Sequence, residues 1–266
     1  MTEWVAEVGA ATGRTVAYVG GLAEIFAKSL SLLFLSPLKR GRMLQRAVHE
    51  AMAAGVGAIP ITSLITFFIG VIIALQGAYE LQRLGAMQLV PSLVAISITR
   101  ELGPLVTAIV VIGRSGSAFA AEIGTMRVTE ELDALKTMAL DPVAFLVVPK
   151  FLAMAVMLPS LAILADLMGV LGGALFGVFG GGFTFGGYML ATRDALLLRD
   201  ITSGVVKSLV FGIVITAVGC QEGFSTGAGA EEVGRSTTSA VVVSILLVIL
   251  IDLIFTALFY LARGGQ

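Results

Sequence analysis

Between Glu50 and Glu80 lie 29 consecutive residues without a charged side chain. About 20 apolar residues suffice to cross the hydrocarbon of a bilayer. A backbone in lipid must satisfy its own hydrogen bonds, so the stretch reads as a membrane-crossing helix. The composition carries this reading to the whole chain. Charged residues make up 13% of the 266, against about 25% in a soluble domain. Apolar residues make up 57%, with 32 glycines besides. So few charges cannot cover a water-facing surface, which excludes a soluble domain, a disordered chain and a nucleic-acid-binding protein. The expected class is an all-α integral membrane protein.

Charge interruptions place five spans, at about 52–79, 88–121, 142–180, 202–221 and 239–261. Asp141-Pro142 opens the third as N-cap and first helical residue. Residues 1–50 form a cytoplasmic N-terminal region, and 51–262 form one membrane domain. Within the former, about 14–35 predicts a helix lying in the interface, with Leu22, Ile25, Phe26, Leu30 and Leu33 on one face. Ser36-Pro37 ends it, and the basic cluster Lys39, Arg40, Arg42, Arg46 follows. Between the second and third spans, about 128–138 predicts a short amphipathic helix, with Val128, Leu132 and Leu135 on one face. An N-terminus in the cytoplasm puts Arg14, Lys28, Lys39, Arg40, Arg42, Arg46, Arg127, Lys136, Lys150 and Arg235 on that side. It leaves Arg83, Arg193, Arg199, Lys207 and Arg263 opposite, with the C-terminus. The excess of basic residues favours that orientation.

Few residues offer chemistry. One cysteine, Cys220, excludes an internal disulfide, and one histidine, His49, makes a histidine metal site untenable. No GxxxxGK[ST] loop is present, so the chain has no nucleotide site of that kind. The charges inside spans are therefore the candidates. Arg100 and Glu101 are adjacent in the second span, where each is costly. They face either a cavity or subunit interface, where Arg100 suits an anionic head group, or an inert interhelical ion pair. Arg114 and Glu122, farther along, read as structural anchors. Asp166 and Asp252 are lone carboxylates, better read as protonated or capping groups than as a proton relay, which needs a chain of such groups. Gly116, Ala120 and Gly124, and again Gly169, Gly173, Gly177 and Gly181, recur at spacing four, the pattern of closely packed helices. The 128–138 helix is too short to stand free in water. It lies either on the protein's own surface or in a partner's groove.

Several long runs resemble the MlaE/YrbE family, the permease subunits of bacterial ABC systems that move phospholipids or other lipids between envelope membranes. They are Thr99-Arg-Glu-Leu-Gly-Pro104, Gly113-Arg-Ser-Gly-Ser-Ala118, Ala121-Glu-Ile-Gly-Thr-Met-Arg-Val-Thr-Glu-Glu-Leu-Asp-Ala-Leu135 and Asp141-Pro142. Val147-Val-Pro-Lys150, Lys207-Ser208 with Phe211-Gly212, and Arg235-Ser-Thr-Thr238 extend the likeness over roughly residues 45–260. The resemblance implies a bacterial inner-membrane subunit working as two copies. Its partners would be a cytoplasmic ABC ATPase dimer, a periplasmic MCE-domain protein (expected as a hexamer) and a small STAS-domain protein. ATP and Mg would be bound by the ATPase, and this chain would carry no cofactor, metal or catalytic residue. Thr129, Glu130, Glu131, Leu132, Asp133, Ala134 and Leu135 would form the coupling helix in the ATPase groove. Arg100 and Glu101 would lie at the lipid cavity between the copies, with phospholipid as substrate. A permease for another lipid such as a sterol, or an ion-driven secondary transporter using Asp166 or Asp252, are the alternatives.

Overall fold

The computed structural model describes residues 2–35 and 40–263, and every regular element among them is helical. Helix α1 (Thr2–Leu35) precedes α2 (Arg40–Gly55), which passes through one tight turn, Val56–Ala58, into α3 (Ile59–Arg83). Next come α4 (Met87–Val128), α5 (Glu131–Thr137) and α6 (Val143–Phe179). The chain closes with α7 (Phe185–Ala195), α8 (Leu198–Ser225) and α9 (Ala230–Arg263). Among the described residues five continuous helical stretches are long and apolar enough to cross a membrane: Met43–Arg83, Met87–Val128, Val143–Phe179, Leu198–Ser225 and Ala230–Leu261.

Each expected span overlaps one of these stretches; the third agrees to within a residue at each end, and the other four helices are longer. The second runs on past Ala121 to Val128, and the fifth begins at Ala230 rather than near Ser239. Glu122, Arg127, Glu231, Glu232 and Arg235 end an apolar run without ending a helix, so the helices project beyond the apolar slab. The fourth begins at Leu198 instead of Thr202. Lys207 thereby lies well inside it and is fully buried, as Lys150 is inside α6. Neither is a flanking charge, and removing one from each side leaves a count of nine against four between the two expected sides.

Backbone-to-backbone contacts set the bundle. A Cβ at Gly70 would run into the Gly169 carbonyl, and one at Gly172 into the Phe67 carbonyl, so α3 and α6 touch without side chains between them. Gly116, Ala120 and Gly124 lie along α8. A Cβ at Gly219 would come within 2.8 Å of the Gly116 oxygen, and one at Gly223 within 3.1 Å of the Ala120 oxygen. One at Gly124 would meet the Thr226 hydroxyl at 2.7 Å. Small residues on both partners permit this approach. Gly169 seats Ile98, while Gly173 and Gly177 seat Tyr188 of α7. Gly181 falls beyond the end of α6, in the turn that folds back to the Gly177 carbonyl, so the row of four is a row of three in one helix.

Helix α1 starts at Thr2, not near residue 14, and its protein-facing side carries Ile25 and Ser29 while Phe26 and Leu30 are exposed. Gly21 seats Gln221 of α8, and Lys28 lies 2.9 Å from Asp141 at the start of α6, which turns the helix to that face. The stop at Ser36-Pro37 and the side chains of Leu33, Lys39, Arg40 and Arg42 lie outside the described residues. Helix α7 has no counterpart in the expected spans. Thr184 caps it by accepting from the Gly187 N–H at 3.1 Å, and Tyr188 is buried beneath it. Its glycine-rich opening conceals an N-cap.

Candidate functional site

Helix α4 is not a uniform α-helix. The Gly103 N–H donates to the Ile98 carbonyl and the Ser117 N–H to the Ile112 carbonyl, five residues back in each case. Such π turns cluster at functional sites. The first holds Arg100 and Glu101, just ahead of Pro104, which has no N–H to give the Arg100 carbonyl. A third π turn, Val143–Val147, precedes Pro149. There the stranded Phe145 carbonyl accepts from Arg46 of α2 at 3.4 Å, with the Arg46 guanidinium over the Phe145 ring.

Arg100 and Glu101 part company at their turn, yet both reach α8. Arg100 donates from Nε to Asp200 Oδ1 at 2.8 Å, and its terminal nitrogen lies 2.6 Å from the same oxygen. The other Asp200 oxygen accepts from the Leu197 N–H at 3.1 Å, so the carboxylate also caps α8. Glu101 Oε2 lies 2.5 Å from Lys207 Nζ. That ammonium stands 2.9 Å from Asp252 Oδ1 on α9 and donates to Thr256 Oγ1 at 2.9 Å. The Thr256 hydroxyl donates onward to Glu101. Lys207 and Asp200 are 1% and 2% exposed, whereas Arg100 and Glu101 keep 23% and 36% of their side chains open.

That opening is a cavity of about 470 Å³ between α4, α8 and α9. Arg199, Thr202 and Ser203 add polar groups to its wall, while Val206, Phe259 and Tyr260 add apolar ones. A charged floor beside apolar walls suits a ligand with a charged head and hydrocarbon tails. Arg100 and Glu101 stand out in the sequence, Asp200 and Thr256 do not, and nothing in the sequence links Lys207 to Asp252. The available signal was the cost of an unpaired charge inside a span, which asks for a partner from another helix. Asp166 takes no part. It faces Gly103, and its Oδ1 is buried without a hydrogen-bond partner among the described residues.

A second buried ion cluster lies toward the other end of α4. Lys150 Nζ sits 2.8 Å from Glu50 and 2.7 Å from Glu122, over the ring of Phe119. It ties α2, α4 and α6 together. Glu122 is thus engaged, while Arg114 is exposed and forms no ion pair with any described residue.

The amphipathic segment is shorter than 128–138. Val128 and Thr129 finish α4, and Glu130 takes a left-handed turn with φ 61°, so that α5 covers only Glu131–Thr137. Leu132 and Leu135 are buried with Ile25, Ile123, Leu146 and Val147. They hold α5 on the protein's own surface and do not belong to a free docking face. Glu131, Asp133, Ala134 and Lys136 point outward. Lys136, 2.7 Å away, holds the Asp133 carboxyl below the usual carboxylate range. A groove beside α5 is bounded by Arg127, Glu130 and the Gly227–Gly229 link between α8 and α9.

Among the described residues no cluster of three or more His, Cys, Asp or Glu side chains is placed to hold a metal ion. Residues 47–258 match the family described as Permease MlaE. A probable ABC transporter permease protein of Rickettsia conorii is 37% identical over 253 residues, covering 95% of this chain and 96% of its own length. A counterpart from Synechocystis is 38% identical over 226 residues, covering 85% and 86%. The intermembrane phospholipid transport system permease protein MlaE of Haemophilus influenzae is 36% identical over 214 residues, covering 80% and 82%.

Proposed function

From the premise that the chain belongs to the MlaE permease family and is an ABC transporter permease, we propose that it moves phospholipids between the inner and outer membranes of a bacterial envelope. The observation that carries this is the cavity at Arg100, with its charged floor and apolar wall. The Haemophilus relative, named for phospholipid transport, supports the same lipid class. In this reading Arg100 engages the phosphate of a head group by paired N–H donors. Asp200 holds the guanidinium in place, and Lys207 holds Glu101 against α9. Acyl chains lie along Val206 and Phe259.

The chain works as two copies in the inner membrane, N-terminus in the cytoplasm and C-terminus in the periplasm. ATP and Mg belong to a separate ATPase dimer, which docks on the outward face of α5 through Glu131, Asp133, Ala134 and Lys136, with Thr129 and Glu130 shaping the turn beside it. A periplasmic MCE-domain protein receives or delivers the lipid, and a small STAS-domain protein joins on the cytoplasmic side. Closure of the ATPases displaces α5, whose leucines carry the start of α6 with it, and the copies shift as near-rigid bodies about their interface. Asp252 is paired with Lys207 rather than standing alone, which speaks for a structural role over an ion-driven one.

Native mass spectrometry of the co-expressed complex tests the lipid assignment. The wild type should carry phospholipid and Arg100→Ala should lose it, together with transport. Unchanged lipid and unchanged transport in Arg100→Ala would remove this site from consideration.

A further inference from the structure

Among the described residues Arg114 is an unpaired cation of the spans, as Asp166 is an unpaired carboxylate. Arg100, Glu101, Lys207, Asp252 and Lys150 all lie within 4 Å of an opposite charge. Arg114 is exposed and has no ion-pair or side-chain hydrogen-bond partner among the described residues. An unpaired guanidinium within a span is expensive and marks a function more often than a flaw.

Its surroundings are shaped for it. Arg114 sits in the second π turn of α4, Ile112–Gly116. The Ser117 hydroxyl donates to the Gly113 carbonyl at 2.7 Å and lies 3.4 Å from that of Arg114. Ser117 thus takes up backbone acceptors of this turn. The guanidinium rests against Gly57 in the α2–α3 turn, where a Cβ would occupy its place, and Gly113 leaves open space beside it. Along α4 it lies fourteen residues from Arg100, or about 21 Å. That is the separation of two sites in opposite leaflets of a hydrocarbon core about 30 Å thick. It lies about 12 Å short of the Lys150–Glu122 cluster.

We propose that Arg114, on its Gly57 seat, is a second phosphate station for a phospholipid, in the leaflet opposite the Arg100 cavity. The inference rests on the lipid-permease reading above. Arginine matches a phosphodiester with two donors from one planar group. Among the described residues, carboxylates within or beside the spans that a second copy could offer are engaged or buried. Glu101 and Asp252 are held by Lys207, and Glu50 and Glu122 by Lys150. Asp166 and Glu222 are largely buried. A lipid phosphate is the anion that remains.

The test is native mass spectrometry of the complete complex, loaded from nanodiscs of phosphatidylglycerol and, separately, from nanodiscs in which diacylglycerol replaces half of it. Arg114→Gln should carry one phospholipid fewer per copy than the wild type, and Arg114→Lys should regain part of the loss. Arg100→Ala should lose a different lipid, so that the double variant loses both. Gly57→Ala, which keeps the charge but takes the guanidinium's place, should weaken retention at least tenfold and covers the case in which Arg114→Gln does not fold. Diacylglycerol should not fill the Arg114 station, and inorganic phosphate at millimolar concentration should not empty it. Equal lipid counts in wild type, Arg114→Gln and Gly57→Ala would overturn the proposal. So would dissociation of Arg114→Gln into single copies with lipid retained, which would assign the residue to an interface. A wild-type complex without phospholipid would instead strike down the lipid-permease reading itself.

Discussion

Lys207→Met isolates the electrostatics of the cavity floor. The wild-type ammonium is 1% exposed and stands between Glu101 at 2.5 Å and Asp252 at 2.9 Å. Methionine keeps the length and apolar stem of lysine and removes its charge. Two carboxylates then face one another without a cation. Removing one partner of a buried pair typically costs about 3–5 kcal/mol. Asp252 is 14% exposed and cannot recover its hydration, whereas Glu101 is 36% exposed and partly can, which favours the lower end, about 3 kcal/mol. For a chain of this size that corresponds to a fall in Tm of about 6–12 °C. The assay is thermal unfolding of the purified complex in one detergent at fixed lipid content. The double variant Lys207→Met/Asp252→Asn removes the buried carboxylate as well and should recover most of the loss, a coupling that a double-mutant cycle reads directly. A single variant melting within 2 °C of the wild type, or a double variant no better than the single, would refute the assignment of Lys207 as the counter-charge of this floor.

The remaining expectations separate packing from docking. Leu132→Ala and Leu135→Ala, each at a buried position, should lower stability by about 2–5 kcal/mol, whereas Glu131→Lys on the outward face should leave Tm unchanged and reduce ATPase recovered on co-purification. Gly172→Ala drives a methyl into the Phe67 carbonyl and should cost about 1–3 kcal/mol. Gly20→Ala, with nothing within 4 Å, should gain about 0.5–1 kcal/mol, and both are read by the same melting assay. Ala139 adopts φ 56° just past α5, where a side chain is strained, so Ala139→Gly should raise stability by about 1–2 kcal/mol. An unchanged midpoint there would show that the turn relaxes without help.

Hydropathy was enough to place five spans because lipid imposes one rule on every residue it touches. A backbone there must be helical and its side chains apolar. The same rule made Arg100 and Glu101 conspicuous, since a charge in a span stands out against so few others. It could not say where helices end, because Glu122, Arg127 and Glu231 cost nothing once a helix leaves the slab, nor find α7, whose glycines hide a capped helix. Spacing found the small-residue row of Gly116, Ala120 and Gly124. It did not single out Gly219 and Gly223 of α8, which are also four apart, because one such pair does not say which helix stands across from it.

What the chain alone determined is therefore the membrane class, the number of spans and the short roll of charges that need an explanation. Which charges meet was decided by the tertiary structure. Arg100 and Asp200 are one hundred residues apart, and Glu101 and Thr256 are 155 apart, so no local pattern links them. Leu132 and Leu135 had the right period to face either a partner or the protein, and burial against Ile25 and Val147 turned them inward. Glu122 and Arg114 looked alike in sequence, but packing gave a counter-charge to the first and left the second open. Periodicity reports which side of a helix is apolar. Only the fold decides what stands opposite it.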